Sequence, residues 1–512
     1  TYEGKDFRSA LTDIKQANTE KFTENFTRVS IGTELNPIKN LSVNFDYTFS
    51  LLNDEVKRNG GKVYAYNMFA TVNPLASYGS IYGSVDDRVL QWSKYSMSNI
   101  FKAYATYSLS LKDSHNFKMM VGFDSEERER LGHSSDRREL IDMNKPEIAL
   151  AIGEQFVTAV AYHDEFASRG YFGRLNYNYL QKYLFELNAR YDGSSKFPRG
   201  QKWALFPSLS AGWILSEESF MDWSESALSM LKIRGSWGTI GNQDVASNAF
   251  LSTMGVGSSS GWVQGGQQLP YVGIPSVISS SLTWERITTL DFGVDARFLN
   301  NSLGFSVDWY QRTTSDMHSP GETLPSTFGA AAPKINFGEM QGTGIEIIAD
   351  YNHRFSNGLG MNLTATFSNV TEKITKYDNP TNYIYGYYKG KEIGEIWGYE
   401  TDRLYQESDM VRKTDADGNP VVDNKGNPVF VPTGPSQALF EEGNFKYGPG
   451  DVKYKDLNGD GKIDYGTNTL DDHGDLKRIG NTLPKFEYGF TIALDYKGFD
   501  LSTFFQGVGS RD

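Results

Sequence analysis

One pattern limits what this chain can fold into: apolar and polar residues alternate with a period of two over unusually long stretches. Leu41, Val43, Phe45, Tyr47, Phe49 and Leu51 alternate with Ser42, Asn44, Asp46, Thr48 and Ser50. A strand sends successive side chains to opposite faces, so this segment has one greasy and one polar face. Its length of about 11 residues suits a tilted membrane-spanning strand, whereas a globular strand averages about 5–6. The same alternation returns at Tyr183–Tyr191, Leu290–Phe298, Leu359–Phe367 and Phe486–Tyr496. Glu186, Arg190, Asp291, Asp295, Arg297 and Asp495 fall on the polar face in mid-strand, which must therefore be wet.

The pattern predicts fourteen strands, at 22–35, 41–52, 94–111, 117–128, 165–180, 182–192, 203–215, 229–238, 283–299, 302–313, 339–353, 359–370, 485–497 and 499–508. The links alternate between short and long. Residues 36–40, 112–116, 181, 300–301, 354–358 and 497–498 are tight turns rich in Asn, Gly and Lys. The link 216–228 is longer but falls on the same side. The loops 53–93, 129–164, 193–202, 239–282, 314–338 and 371–484 are long. Short turns at one end and long loops at the other define an all-β chain folded as an antiparallel transmembrane β-barrel, with periplasmic turns and extracellular loops. Tyr179, Tyr183, Tyr191, Trp203, Trp213, Trp309, Tyr310, Tyr351 and Tyr496 sit near strand ends, where they are expected to form interfacial girdles.

Composition agrees. No run approaches the roughly 18–20 apolar residues of a membrane helix. The hydrophobic fraction of 39% and the aromatic fraction of 14% fit strands that are greasy on one side only. Cysteine is absent, which removes disulfides, thiolate metal sites and cysteine nucleophiles. A net charge of -13 argues against binding a nucleic-acid backbone. Both termini, at Thr1 and Asp512, read as cuts.

Particular motifs go further. Tyr171-Phe172-Gly173-Arg174-Leu175-Asn176-Tyr177 leads to Arg190-Tyr191-Asp192-Gly193-Ser194-Ser195-Lys196-Phe197, then to Phe206-Pro207-Ser208-Leu209-Ser210-Ala211-Gly212-Trp213. Leu231-Lys232-Ile233-Arg234-Gly235-Ser236-Trp237-Gly238 with Gly241-Asn242, Gly394-Glu395-Ile396-Trp397-Gly398-Tyr399 and Pro449-Gly450-Asp451-Val452-Lys453-Tyr454-Lys455-Asp456 follow in order. Together these resemble the SusC/RagA-like TonB-dependent outer-membrane transporters of Bacteroidetes from about residue 165 to 508, while residues 1–164 match in style only. The resemblance implies a barrel of about 22 strands, of which this chain supplies a middle portion without plug, N-terminal extension or last strands. It further implies an outer-membrane importer of oligosaccharides or peptides, driven by TonB and covered by a SusD-like surface lipoprotein, with no enzymatic activity. The alternatives are a passive 14-stranded channel and a soluble β-rich glycan-binding protein.

Two candidate sites fall in the loop 371–484. Asp456, Asn458, Asp460, Lys462 through its carbonyl, and Asp464 stand at positions 1, 3, 5, 7 and 9 of a calcium-type loop, with Gly461 at position 6. Position 12 is Thr467 rather than a bidentate Glu, and Asp471 or Asp472 is the candidate replacement. The expected ligand is a structural Ca2+; no organic cofactor is expected. Asp415-Ala416-Asp417-Gly418-Asn419 and Asp423-Asn424-Lys425-Gly426-Asn427 read as hairpin turns. Tyr383, Tyr385, Tyr387, Tyr388 and Trp397, with Trp262 in 239–282, are candidate contacts for cargo or lid, because exposed rings suit sugar stacking or a protein interface. The six histidines form no HExxH pair and no GxSxG elbow occurs.

Overall fold

The computed structural model describes residues 9, 11, 20–60, 88–112, 114–142, 145–153, 155–156, 162–224, 226–257, 261–321, 324–443 and 445–512. Parts of two expected loops, 61–87 and 157–161, lie outside the described residues. Every alternating segment forms a strand, and the fourteen strands lie in chain order in one sheet. They are β1 (Glu20–Ile38), β2 (Leu41–Gly60), β3 (Arg88–Leu111), β4 (His115–Arg138), β5 (Tyr162–Tyr179), β6 (Tyr183–Ser194) and β7 (Trp203–Ile214). The second half comprises β8 (Leu228–Asn242), β9 (Glu285–Phe298), β10 (Leu303–Pro320), β11 (Lys334–Arg354), β12 (Gly360–Lys376), β13 (Lys485–Tyr496) and β14 (Phe499–Ser510). All neighbours pair antiparallel, and a two-residue strand at 155–156 lies beside β4. Among the described residues, β1 pairs only with β2 and β14 only with β13.

The tight turns use left-handed backbone. Leu180 and Gln181 have φ of 50° and 58°, and Asn300 and Asn301 have 55° and 68°. Two successive positive φ values match the twist of the flanking strands, a conformation that favours Asn at 300–301 and is met by Leu180 and Gln181 in the other turn.

Register separates the two faces. Leu175 lies opposite Leu187, which lies opposite Leu209, while Asn176, Glu186 and Ser210 line up on the other face. Leu187 and Leu209 are about half exposed because their face meets lipid rather than protein. The opposite, lumenal face is built from ion pairs. Arg234 on β8 reaches Asp295 at 3.0 Å, Asp308 at 2.5 Å and Asp291 at 3.6 Å. Arg190 binds Asp124 and Asp192, each at 2.8 Å.

Rings form the expected girdles on the lipid face. One belt runs Phe101, Phe123, Tyr171, Trp203, Tyr191, with successive centroids 5.0–6.4 Å apart. The other runs Tyr179, Tyr183, Trp213, Phe220 at 6.1–6.5 Å. On β5 and β6 the belts are eight residues apart, about 26 Å along the strand and about 20 Å once tilted, close to the apolar band of an outer-membrane barrel. Glu218 in the link 216–228 accepts hydrogen bonds from the Tyr183 hydroxyl at 2.6 Å and from Trp213 Nε1 at 3.1 Å, fixing the second belt at the short-turn end. Tyr310 departs from expectation. It stands opposite Asp291 while Trp309 stacks on Phe292, so adjacent residues face opposite ways and Tyr310 points to the lumen.

Candidate functional site at the long-loop end

The candidate side chains lie where the long loops spring from the wall. The loop after β12 covers 377–484 and is a nested antiparallel arm. Residues 395–399 pair with 476–481, 401–404 with 452–454, and 410–412 with 430–432, each pair lying within the previous one along the chain. At its tip Asp415 Oδ1 accepts the amides of Asp417 and Asn419, and Asp423 Oδ1 accepts those of Lys425 and Asn427. These are the two hairpin turns expected from sequence. Gly418 and Gly426, at φ of 86° and 85°, supply the left-handed step that each requires.

Charged nodes fasten the arm. Glu395, whose side chain is 2% exposed, accepts hydrogen bonds from the Tyr388 hydroxyl and from Trp397 Nε1, with Arg478 at 3.7 Å. Burial and this carboxylate push the Tyr388 phenol up to about 12. Asp409 accepts a forked pair from Arg403 at 2.5 and 2.6 Å, which holds its carboxyl far below the usual carboxylate range. Hydrogen bonds from Lys455 and Lys477 bring the Glu400 carboxyl down to about 2.

The candidate aromatic contacts therefore divide. Tyr388 is buried and, with Trp397, is committed to the Glu395 node. Tyr383, Tyr385 and Tyr387 are exposed, and the rings of Tyr383 and Tyr385 meet at 5.6 Å. Between them Ile384 is fully buried, so this turn, closed by Gly386 N on the Tyr383 carbonyl, is anchored by one side chain and presents its neighbours outward. Trp262, in the loop 239–282, is the most exposed of the six at 73%.

Residues 456–464 form a tight acidic turn. Asp456 accepts the amides of Gly459 at 2.6 Å and Gly461 at 2.9 Å. Asn458 accepts Asp460 N and Asp460 accepts Lys462 N, both at 3.0 Å. The Lys462 ammonium lies against Asp464 and 3.5 Å from Asp460, which lowers the Asp464 carboxyl and raises the amine. The side-chain oxygens of Asp456, Asn458 and Asp460 thus accept the turn's own amides, and Lys462 pairs with Asp460 and Asp464. Beneath the turn, the fully buried Asp475 accepts Leu457 N at 2.7 Å and Asp464 N at 2.8 Å. Asp472 is used locally, accepting Thr467 N at 3.0 Å.

A second structure at the rim had no counterpart among the sequence candidates. Phe197, Phe206, Leu282 and Trp284 form a buried cluster. Trp284 Nε1 donates to the Lys202 carbonyl at 2.9 Å, and Ser195 and Ala167 exchange two hydrogen bonds of 2.9 Å. Together they clamp the turn 195–202 between β5 and the base of the loop 239–282. Nearby, Glu129, His163 and Glu165 bring potential metal-ligand atoms within 4.8 Å of one another.

A fourteen-strand antiparallel wall with girdled lipid face, ion-paired lumenal face and loops massed at one end defines an outer-membrane barrel. Residues 3–511 match the model of the TonB dependent receptor-like, beta-barrel family, and the chain belongs to that family. It is 29% identical over 467 residues to TonB-dependent receptor SusC of Bacteroides thetaiotaomicron, covering 90% of this chain and 42% of that protein. It is 27% identical over 416 residues to TonB-dependent receptor P3 of Formosa agariphila, covering 79% and 38%. Among solved structures, the RagAB peptide importer in its closed-closed state superposes with a TM-score of 0.69 at 17% identity, over 96% of this chain and 48% of that one. The chain thus spans well under half the length of these two curated relatives. Its family places it in the outer membrane of a Gram-negative bacterium.

Proposed function

We propose that the protein containing this wall imports a bulky nutrient, an oligosaccharide or peptide, across the outer membrane with energy drawn from TonB. A SusD-like surface lipoprotein would close over the long-loop end. Family membership carries this reading, and it favours import over a passive channel or a soluble glycan-binding protein. The chemistry asked of the chain is transport, with binding at the mouth. In this reading the arm 377–484 and the exposed rings of Tyr383, Tyr385, Tyr387 and Trp262 meet the lid or the cargo. Deleting 405–450 removes the tip of the arm but keeps the 395–399 and 476–481 pairing. Uptake, followed on a panel of glycans and peptides, should then fall at least about tenfold while the protein still reaches the outer membrane. Unchanged uptake and unchanged capture of the lipoprotein would remove the arm from this role.

We further propose that the 456–464 turn takes a calcium ion on Asp456, Asn458, Asp460, Asp464 and the Lys462 carbonyl, with the Lys462 ammonium displaced outward. Without a position-12 Glu, affinity should fall in the range of about 10⁻⁴–10⁻³ M seen for extracellular modules. Terbium luminescence sensitised by Tyr465 should report it and should disappear in Asp456→Ala/Asp460→Ala. Equal emission from wild type and variant would overturn the assignment.

A further inference from the structure

A cavity of about 1250 Å³ opens on the lumenal side of the rim, roofed by the loops 239–282 and 314–338. Its charges are arranged unlike those deeper in the lumen. Below, Arg234, Arg190 and Arg297 are each matched by one or more carboxylates within 3 Å. At the cavity, Arg128, Arg130, Lys196 and Lys334 line the space, and among the described residues none has a carboxylate within 4 Å. Three carboxylates share the lining, but Glu285 is already held by His318 at 3.2 Å and by Asn242 at 2.7 Å. Cations therefore lead in this cavity, although the chain as a whole carries -13.

Two of the cations share one aromatic ring. The Arg128 guanidinium lies 5.2 Å and the Lys196 ammonium 5.3 Å from the ring centre of Phe166, which is 7% exposed. The ring steadies each charge but cannot neutralise either. Among the described residues, Arg128 Nε is buried without a hydrogen-bond partner, and Lys196 Nζ donates to the Gln243 carbonyl at 3.2 Å. Burial above all, with Arg128 and Arg130, lowers the Lys196 ammonium below its ordinary range against the opposing pull of Asp244 and Asp164. The backbone that carries both groups is held in place, because Phe197 is buried next to Lys196 in the rim cluster and β4 is paired on both sides of Arg128. Like charges at a partly buried site with an unmet donor suit an anion, which would gain a charge-assisted hydrogen bond and relieve the repulsion.

We propose that this cavity seats a carboxylate group of the cargo between Arg128 and Lys196, with Arg130 and Lys334 extending the field, so that the importer selects acidic oligomers over neutral ones. The inference rests on the import reading and narrows its substrate class to carboxylate-bearing chains, whether acidic peptides or uronate-containing oligosaccharides.

Binding to the purified full-length protein, with its surface lipoprotein where the two co-purify, tests it with two matched probe pairs. One pair is a Glu-rich octapeptide and its Gln counterpart; the other is a uronate hexamer and the neutral hexose hexamer. The acidic member of at least one pair should bind about tenfold more tightly, and the pair that responds identifies the source of the carboxylate. The preference should shrink as salt rises from 50 to 500 mM and vanish in Arg128→Gln/Lys196→Gln. Salt dependence needs no variant, and Lys196→Gln alone, on a rim turn, guards against a folding defect in the double change. Equal binding within both pairs, or a preference that survives the double variant, overturns this inference and leaves the import reading standing. A wild type that binds none of the four probes overturns both.

Discussion

Replacing Leu187 by Arg in the full-length protein is expected to destabilise the wall by about 2–4 kcal/mol, the cost of a cation at the midplane of a lipid-facing strand. Leu187 lies four residues from Tyr183 and four from Tyr191, midway between the girdles, and faces lipid with Leu175 and Leu209 as cross-strand neighbours. A guanidinium there has no partner, and both girdles are too far for its side chain to reach water easily. Ser210→Arg is the control. Its side chain is on the lumenal face opposite Glu186, so the change should stay within about 1 kcal/mol. Guanidinium unfolding in lipid vesicles, with the heat-dependent gel shift of the folded barrel as a second readout, measures both. Equal losses at the two positions would mean that the two faces do not separate lipid from water.

That contrast was legible in the sequence because a strand's period of two converts register directly into side. All fourteen strands appear where alternation places them, and most tight links carry positive-φ Asn, Lys or Gly, with Leu180 and Gln181 the exception. Alternation fails where both faces become wet. It ends near residue 128 in Glu126-Glu127-Arg128-Glu129-Arg130, yet β4 continues to Arg138, because backbone pairing with β3 needs no greasy face. β11 likewise begins at Lys334 rather than near 339. The arm shows the same limit in another form. Its Asp-x-x-Gly-Asn turns are local and could be read, but the pairing of 395–399 with 476–481 joins segments some eighty residues apart, and no periodicity announces it.

The cavity was less legible still. Arg128, Asp164, Lys196 and Lys334 sit on four different segments, on β4, β5, the rim turn and the start of β11, and only the fold brings them to one cavity. The aromatic candidates illustrate the opposite error. Tyrosines in a loop suggested exposure, but Tyr388 caps a buried carboxylate, a role fixed by Glu395 seven residues on. A ring's neighbours, which sequence spacing alone does not give, decide whether it faces a ligand or the loop's own interior.

The largest effect within the arm is expected at Asp475. Its side chain is fully buried and accepts the amides of Leu457, at 2.7 Å, and Asp464, at 2.8 Å, with Asn458 N at 3.5 Å. The carboxylate thus ties both ends of the acidic turn to the strand 476–481 that closes the arm. Asp475→Ala leaves these part-buried donors without their acceptor, at about 1–3 kcal/mol each for the two strong bonds, or about 3–4 kcal/mol in all. Asp475→Asn keeps the shape and one acceptor oxygen, so about half of that loss is expected. Hydrogen exchange reads the difference locally: amides in 456–476 should exchange several hundredfold faster in the Ala variant, since about 1.4 kcal/mol is a factor of ten. Amides of β11 and β12 should keep wild-type protection, because the wall's backbone pairing does not pass through this turn. Uniform loss of protection across arm and wall would show instead that the two unfold together, and that Asp475 supports the barrel as a whole.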